Sequence, residues 1–219
     1  MRMRRICLVL VMCCLGCIPA ASDSAHTSLT DTLWLRAADS ADDGIRASDT
    51  EDSLRLRFGA ANVIQAWLYE AEGDSVKGTT IFPDDSTRRI EVRWSDVEGR
   101  RHPARAEIAE GQSRWVVYPN VSAGTRLAAI ERLNGRPFDM SGFEWDYAGA
   151  VINWRDGHLD SLWGTRASGQ KSVWVQFAVD EPADPALTSK VIGDHEYSSA
   201  SPPMRTLNPR IRQISVTPR

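Results

Sequence analysis

The chain has 219 residues, of which 42% are hydrophobic, and its eight tryptophans supply bulky material for a packed core. This length suits one domain or two small ones. The formal charge of −3 gives no electrostatic case for nucleic-acid binding. No apolar run reaches the roughly 20 residues that a helix needs to cross a bilayer.

The N-terminal segment has the features of a processed signal peptide. Three arginines within the first five residues precede a short apolar run, and residues 14–17 read Cys-Leu-Gly-Cys. This motif resembles the lipobox of bacterial lipoprotein signal peptides, in which small residues precede an invariant cysteine. The resemblance implies cleavage after residue 16 and lipidation of Cys17. Cleavage after Ala20 or Ala21, which would release a soluble periplasmic or secreted module, is the alternative.

Cysteine usage agrees with a lipid anchor. All four cysteines lie within the first 17 residues, so a mature chain that begins at Cys17 forms no internal disulfide. Loss of the leading arginines makes the mature chain more acidic, and the acyl chains must then supply the attachment. Ile18 follows the cysteine in place of the aspartate associated with inner-membrane retention. These features predict an outer-membrane lipoprotein that faces the periplasm.

Four segments are expected along the chain. Residues 1–16 form the signal peptide, and residues 17–47 form a flexible tether rich in Ser, Ala, Asp and Thr. Residues 48–118 and 119–219 then form two units, each of which begins with a short helix and continues with strands. Within the tether, Trp34 marks a short apolar run that could dock as a strand.

The first unit is predicted to begin with a helix that ends at Gly59. Ser48 and Glu51 have capping-box spacing, and Leu54 and Phe58 lie one turn apart on the apolar face. Alternating apolar residues then predict strands at 63–69, 78–82, 89–94, 104–108 and 115–118.

The second unit is predicted to begin with the best helix in the chain. Thr125 is its expected N-cap, Leu127, Ile130 and Leu133 form the apolar face, and Gly135 ends it. Later strands are expected at 172–179 and, as an edge strand, at 208–216.

A hairpin is expected to follow this second helix. Phe143, Trp145 and Tyr147 alternate with acidic residues, which predicts a strand with one buried face. Residues 151–154 begin the next strand, and Asp156-Gly157 is a favoured hairpin dipeptide.

These patterns predict an α+β fold in which two short helices pack on antiparallel sheet, with a possible tandem repeat of the helix-then-strands unit. The turn after the second helix and the aromatic strand beyond it resemble those of the beta-lactamase-inhibitor-protein-like domains and of the SmpA/OmlA outer-membrane lipoprotein family. The matching residues are Leu133, Gly135, Pro137, Trp145 and Tyr147. The chain also resembles uncharacterised bacterial lipoproteins that carry the same Gly-Phe-x-Trp-Asp-Tyr segment. The resemblance implies a helix-plus-sheet repeat in an envelope lipoprotein.

No sequence motif indicates catalysis, a cofactor or a metal. The chain has no G-x-S-x-G, P-loop or H-E-x-x-H motif. Three polar sets remain, and each is interpreted as turn or loop chemistry rather than a ligand set. They are Asp84-Asp85, Asp156 with His158 and Asp160, and Asp194-His195-Glu196. We therefore expect no catalytic residues, no cofactor and no metal site.

Aromatic residues are the candidates for binding. Most of the tryptophans on predicted strands or their ends are expected to be core residues. The seven at such positions are Trp67, Trp94, Trp115, Trp145, Trp154, Trp163 and Trp174. Trp174 is the strongest candidate for a partner contact, because Phe177 lies on the aliphatic face of the same strand and directs Trp174 to the other. Trp145 and Tyr147 complete the set, with Asp146 exposed between them.

The sequence thus predicts a lipid-anchored, non-catalytic cell-envelope protein that binds an envelope protein or another ligand. One alternative is an envelope hydrolase, because two carboxylates from distant positions can form a catalytic pair that no motif reveals. The other is the soluble binding module that cleavage after Ala20 would produce.

Overall fold

The computed structural model describes residues 36–37, 44–109, 113–117, 119–145, 147–164 and 173–218. Within these ranges, five helices accompany antiparallel sheets of six, three and two strands. The predicted α+β class is confirmed. Cys17, Trp34 and Asp146 lie outside the described residues. In the part of the chain that the structure describes, no helix is both long and apolar enough to cross a membrane.

The elements follow in chain order. The helices are α1 (Glu51–Phe58), α2 (Leu127–Asn134), α3 (His158–Trp163), α4 (Pro185–Thr188) and α5 (Pro202–Leu207). The strands are β1 (Arg36–Ala37), β2 (Val63–Tyr69), β3 (Ser75–Ile81), β4 (Ile90–Asp96), β5 (Arg101–Ala109), β6 (Trp115–Val116), β7 (Asp139–Ser141), β8 (Val151–Asn153), β9 (Val173–Ala178), β10 (Glu196–Ser198) and β11 (Arg210–Val216).

The six-stranded sheet has the order β2-β3-β4-β5-β11-β9. It therefore joins strands from both predicted units, and the tandem duplication stays a prediction. The C-terminal strand was expected at an edge, and that prediction is wrong because β11 pairs with β5 on one side and β9 on the other. Alternation shows that one face of a strand is buried, but it does not show how many neighbours the strand has.

One face of this sheet carries the core and the other is polar. Cross-strand pairing places Arg93 opposite Arg105 and Glu107 opposite Ser215 on the polar face. Both arginines donate to the carboxylate of Glu70, Arg105 at 2.6 and 2.7 Å. Burial raises the pKa of Glu70, but the hydrogen bonds from Arg105 and Arg93 outweigh burial and hold it below its ordinary value.

The first helix begins two residues later than expected. Thr50, rather than Ser48, is the N-cap, and its hydroxyl accepts from the backbone N–H of Ser53 at 3.1 Å while the Ser53 hydroxyl accepts from Thr50 N–H. Leu54 and Phe58 are buried, and Gly59 caps the C-terminus, as predicted.

The second helix begins after Arg126, so the predicted N-cap role of Thr125 is wrong. The Thr125 hydroxyl instead accepts from the N–H of Ser122 at 3.3 Å, within the preceding turn. Gly135 ends α2 in the left-handed conformation with φ 77°, which confirms the predicted stop. Leu133 is 37% exposed, so the buried face of the helix is narrower than expected.

The aromatic strand predicted after α2 is wrong. The structure has a short hairpin of β7 and β8, and Phe143, Trp145 and Tyr147 lie in the loop that joins them. Glu144 adopts φ 65°, and residues 147–149 form a turn, so the chain cannot stay extended. The Asp156-Gly157 dipeptide also closes no hairpin, because the chain continues into α3.

Aromatic side chains fill the core in two clusters. Phe138 lies 5.0 Å from Trp154 and 6.0 Å from Phe177, and Trp154 contacts Trp163 edge-on at 5.5 Å. The second cluster packs Phe58 against Phe82 and Trp115. Four of the candidate tryptophans are buried, as expected for core residues, and these are Trp94, Trp115, Trp154 and Trp163.

Candidate binding groove

The loop between β7 and β8 forms one wall of an open groove. It begins at Gly142 and returns at Gly149, and neither position has room for a side chain. A Cβ at Gly142 would lie 2.5 Å from the Gly193 carbonyl oxygen, and one at Gly149 would lie 2.1 Å from the Phe177 carbonyl oxygen. Gly149 also has φ +68°, a conformation that other residues rarely adopt. These glycines let the loop pack directly against backbone.

Backbone hydrogen bonds fix this loop to two other segments. The N–H of Phe143 donates to the Val191 carbonyl at 2.8 Å, and the N–H of Gly193 donates to the Phe143 carbonyl at 2.9 Å. On the other side, the N–H of Phe177 on β9 donates to the Gly149 carbonyl at 2.9 Å. The loop is therefore held to the sheet edge and to the segment before β10.

The structure brings Trp145 and Tyr147 into edge-on ring contact, with centroids 5.6 Å apart. The indole N–H of Trp145 donates to the Gly142 carbonyl at 3.0 Å, which fixes the ring although the residue is 37% exposed. The carbonyl of Tyr147 accepts from the Ser141 hydroxyl at 2.6 Å. A large aromatic surface is thus held in place before any partner arrives.

The groove next to Trp145 has a volume of about 810 Å³. Its apolar lining includes Phe143, Phe177 and Val179, and its charged lining comprises Glu144, Glu181 and Arg212. Among the described residues, none forms an ion pair with Arg212. The groove therefore combines an apolar floor with charged groups of both signs, one of them a guanidinium suited to a carboxylate.

A network of ion pairs holds the segment after β9, which supplies Val179 and Glu181 to the groove lining. The carboxylate of Asp180 lies 2.6 Å from Arg210 Nε and 2.5 Å from Arg126 Nη1. Hydrogen bonds from Arg126 and Arg210 hold the pKa of Asp180 below its ordinary value. A few residues on, the Asp184 carboxylate accepts from the N–H of Ala186 at 2.8 Å and caps α4. The loop and the segment after β9 are therefore both held by contacts within the chain.

Trp174, the strongest sequence candidate, does not line this groove. It is half-buried and pairs across the sheet with Ser215 on the polar face, whereas Val175 and Phe177 are buried. The structure thus brings together two of the sequence candidates, Trp145 and Tyr147, and separates Trp174 from them.

The structure adds residues that the sequence did not single out. Arg212 reaches the groove from β11, and Glu181 and Thr188 come from the segment after β9. The only sequence signal for Arg212 was its polar position on an alternating strand. Trp67 was expected in the core, but it is 65% exposed on β2, next to Tyr69 at 84%.

Two carboxylates line the groove, and the buried carboxylate of Glu51 lies on α1. Glu144 and Glu181 are both exposed at the groove. The buried Glu51 carboxylate has a lowered pKa, because its hydrogen bonds from Gln65 and Thr79 outweigh the effect of burial.

The structure places residues of two of the polar sets in a turn, at the start of a helix and at the start of a strand. Asp156 lies in the turn before α3, which begins at His158. The His195 carbonyl accepts from the N–H of Gly142 at 3.0 Å, and Glu196 begins β10. Within the described ranges, no group of three or more His, Cys, Asp or Glu residues could hold a metal ion.

Comparisons of the chain with protein-family models, with curated proteins and with solved structures found no match. The groove is therefore interpreted from its own residues.

Proposed function

We propose that this chain is a lipid-anchored, non-catalytic protein of the bacterial cell envelope, and that its groove binds an extended segment of an envelope protein. The observation that carries the binding function is the groove of about 810 Å³ beside the fixed Trp145 ring. No nucleic acid and no cofactor are required.

The lining of the groove supports a peptide as the occupant. Trp145 offers an aromatic face, and Ala148, Val179 and Pro182 offer apolar surface for side chains. Arg212 can receive a carboxylate, and Glu144 and Glu181 can receive a basic side chain or an amino group. A peptide carries all of these groups within a few residues, whereas a purely apolar ligand would leave the charges without partners.

Binding is tested with the full chain and a library of fluorescein-labelled nonapeptides that vary in charge and aromatic content, read by fluorescence anisotropy. Trp145→Ala should weaken the best binders at least tenfold, because truncation of an aromatic anchor removes most of its contact area. Trp174→Ala is the matched control and should change affinity less than twofold. Equal effects of the two substitutions, or no peptide binding at all, would exclude the groove as a peptide site.

A second substitution tests the charge of the occupant. Arg212→Gln should weaken peptides with a free carboxylate more than their amidated counterparts, because a guanidinium binds carboxylate through two hydrogen bonds. Loss of affinity that does not depend on the carboxylate would contradict this role for Arg212.

The anchor follows from Cys17 and the lipobox-like residues before it. In bacteria expressing the full chain, radiolabelled palmitate should be incorporated, and Cys17→Ser should abolish incorporation. The protein should fractionate with the outer membrane and face the periplasm. An intact mass showing an unmodified start after Ala20 or Ala21 would instead establish the soluble module.

A further inference from the structure

The two edges of the six-stranded sheet are protected differently. At the β9 edge, the N–H of Phe177 donates to the Gly149 carbonyl, and Ala150 forms a bridge with Gln176. At the other edge, β2 pairs with β3, and no other described strand pairs with it. One edge is therefore covered by the groove loop, and the other presents a free strand.

The ladder between β2 and β3 shows which backbone groups are free. The N–H of Phe82 donates to the Asn62 carbonyl at 2.7 Å, immediately before β2. Since hydrogen-bonded pairs alternate in an antiparallel ladder, the even-numbered residues of β2 bond to β3. The odd-numbered residues direct their N–H and C=O groups away from β3, and these are Val63, Gln65, Trp67 and Tyr69. The Val63 N–H already donates to the Ala60 carbonyl, and the Tyr69 carbonyl accepts from Arg93 Nη2 at 2.8 Å, so six of the eight outward groups are free of such bonds to described residues.

β2 lacks the features that normally keep edge strands apart. Its sequence, VIQAWLY, contains no charged residue and no proline, and its register with β3 has no bulge. Three of its apolar side chains are exposed, with Ile64 at 41%, Trp67 at 65% and Tyr69 at 84%. Such a strand is an open template for pairing with another strand.

We propose that β2 is a self-association interface, in which two copies of this chain pair their β2 strands antiparallel about a two-fold axis at Ala66. In this register Ala66 faces Ala66 of the second copy, Gln65 faces Trp67, and Val63 faces Tyr69. The six free outward backbone groups of each strand are then used, which gives about six hydrogen bonds between the copies. The two sheets become one continuous sheet.

The sequence of the strand favours a second copy over an unrelated strand. The smallest side chain lies on the axis, where the two backbones and side chains approach most closely, and each large aromatic faces a smaller residue. No like charges meet along the strand. Beyond its end, Glu70 faces Asn62, and its carboxylate is already bound by Arg93 and Arg105.

Disulfide cross-linking tests the register. In the full chain with its four native cysteines replaced by serine, Ala66→Cys should form a covalent dimer on mild oxidation. Directly opposed residues of this non-hydrogen-bonded pair have Cα atoms about 4.5 Å apart, within the range of a disulfide. Gln65→Cys is the matched control, because its two copies would lie diagonally, about 7–8 Å apart. More efficient cross-linking at Gln65 than at Ala66 would overturn the proposed pairing.

Mass measurement tests the association itself. Sedimentation equilibrium of the same serine-substituted chain should show a species of twice the 24.3 kDa chain mass. Trp67→Lys should raise the dimer dissociation constant at least tenfold, because it places a charge on each of the paired strands. Its far-UV circular dichroism should match that of the parent, since Trp67 is largely exposed. If the protein is a monomer at all concentrations and Ala66→Cys forms no cross-link, the proposal is wrong. The same result is expected if another strand of this chain covers β2.

Discussion

Asn134 connects the end of α2 to the start of α3 through three hydrogen bonds. Its Nδ2 donates to the carbonyls of Trp154 at 2.9 Å and Arg136 at 3.0 Å, and its Oδ1 accepts from the N–H of Leu159 at 3.1 Å. The side chain is 1% exposed. In the sequence, this residue merely separated Leu133 from Gly135 in a family-like turn, yet in the structure it joins two helices.

Asn134→Ala should lower the free energy of unfolding by roughly 2–4 kcal/mol, because it leaves buried backbone groups without partners. Urea denaturation followed by tryptophan fluorescence measures the change. Arg132→Ala, at an exposed position of the same helix, is the control and should change stability by less than about 0.5 kcal/mol. An equal effect of the two substitutions would show that the hydrogen bonds of Asn134 contribute nothing.

Glu51 contributes stability that depends on pH. Its carboxylate is 7% exposed and accepts from Thr79 at 2.9 Å and Gln65 at 3.2 Å, and it pairs with Arg55 and Arg100. Burial raises its pKa, but these contacts outweigh burial and lower it below the ordinary 4.5. The folded state therefore favours the ionised form.

Because the folded state lowers the pKa of Glu51, its ionised carboxylate stabilises the fold at pH values above the unfolded pKa of 4.5. This stabilisation is lost as the pH falls through the lower pKa of the folded state. Glu51→Gln should therefore cost roughly 1–3 kcal/mol at pH 7, with a difference from the parent that shrinks below pH 4.5. Denaturation at several pH values measures it. Asp52→Asn, at the adjacent exposed position, is the matched control, and a deficit for Glu51→Gln that stays constant with pH would contradict the linkage.

At the scale of elements, the groove loop depends on close contact between backbones. Gly149 lies directly against the Phe177 carbonyl of β9, and this contact places Trp145 beside the groove. A strand through Trp145 and Tyr147 would have kept them on one face, as the alternation predicted. The loop instead bends back, because its backbone groups find partners on β9 and on the segment around Val191.

Gly149→Ala should destabilise the fold by more than the roughly 1–2 kcal/mol of left-handed strain alone, since it adds a clash with backbone. It should also weaken peptide binding in the groove. Gly73→Ala separates the two effects, because Gly73 has φ +83° with nothing within 4 Å of its Cβ position. Thermal unfolding compares the two variants. An equal loss of stability in both would show that the contact between Gly149 and β9 does not contribute to stability.

At the scale of the molecule, the main sheet ties the two halves of the chain together. β11 pairs with β5 from Ala106 to Ala109, across more than one hundred residues of sequence. The Ser215 hydroxyl also donates to Glu107 at 2.9 Å across this pairing. Separation of the predicted units would break the sheet in its interior.

We therefore expect one cooperative unfolding transition rather than two. Urea curves from far-UV circular dichroism and from tryptophan fluorescence should coincide, since the tryptophans lie in both halves of the chain. Two separated transitions would show that residues 48–118 and 119–219 fold independently despite the shared sheet.

The sequence by itself determined the local elements of this protein. Period-two alternation located β2 at its observed bounds and β9 to within a residue, and the glycine stops correctly ended α1 and α2. It also predicted that most tryptophans are buried, because large apolar side chains must leave water wherever the chain provides a core.

Only the tertiary structure decided which elements are neighbours. The interior place of β11, the groove built from β9, β11 and the Trp145 loop, and the exposure of Trp67 all depend on contacts between distant residues. A strand has the same alternation of apolar and polar residues whether its neighbour is another strand, a loop or water. The sequence therefore identified Trp145 and Tyr147 as candidates, but only long-range pairing placed Arg212 in the same groove as Trp145 and left Trp174 on another face.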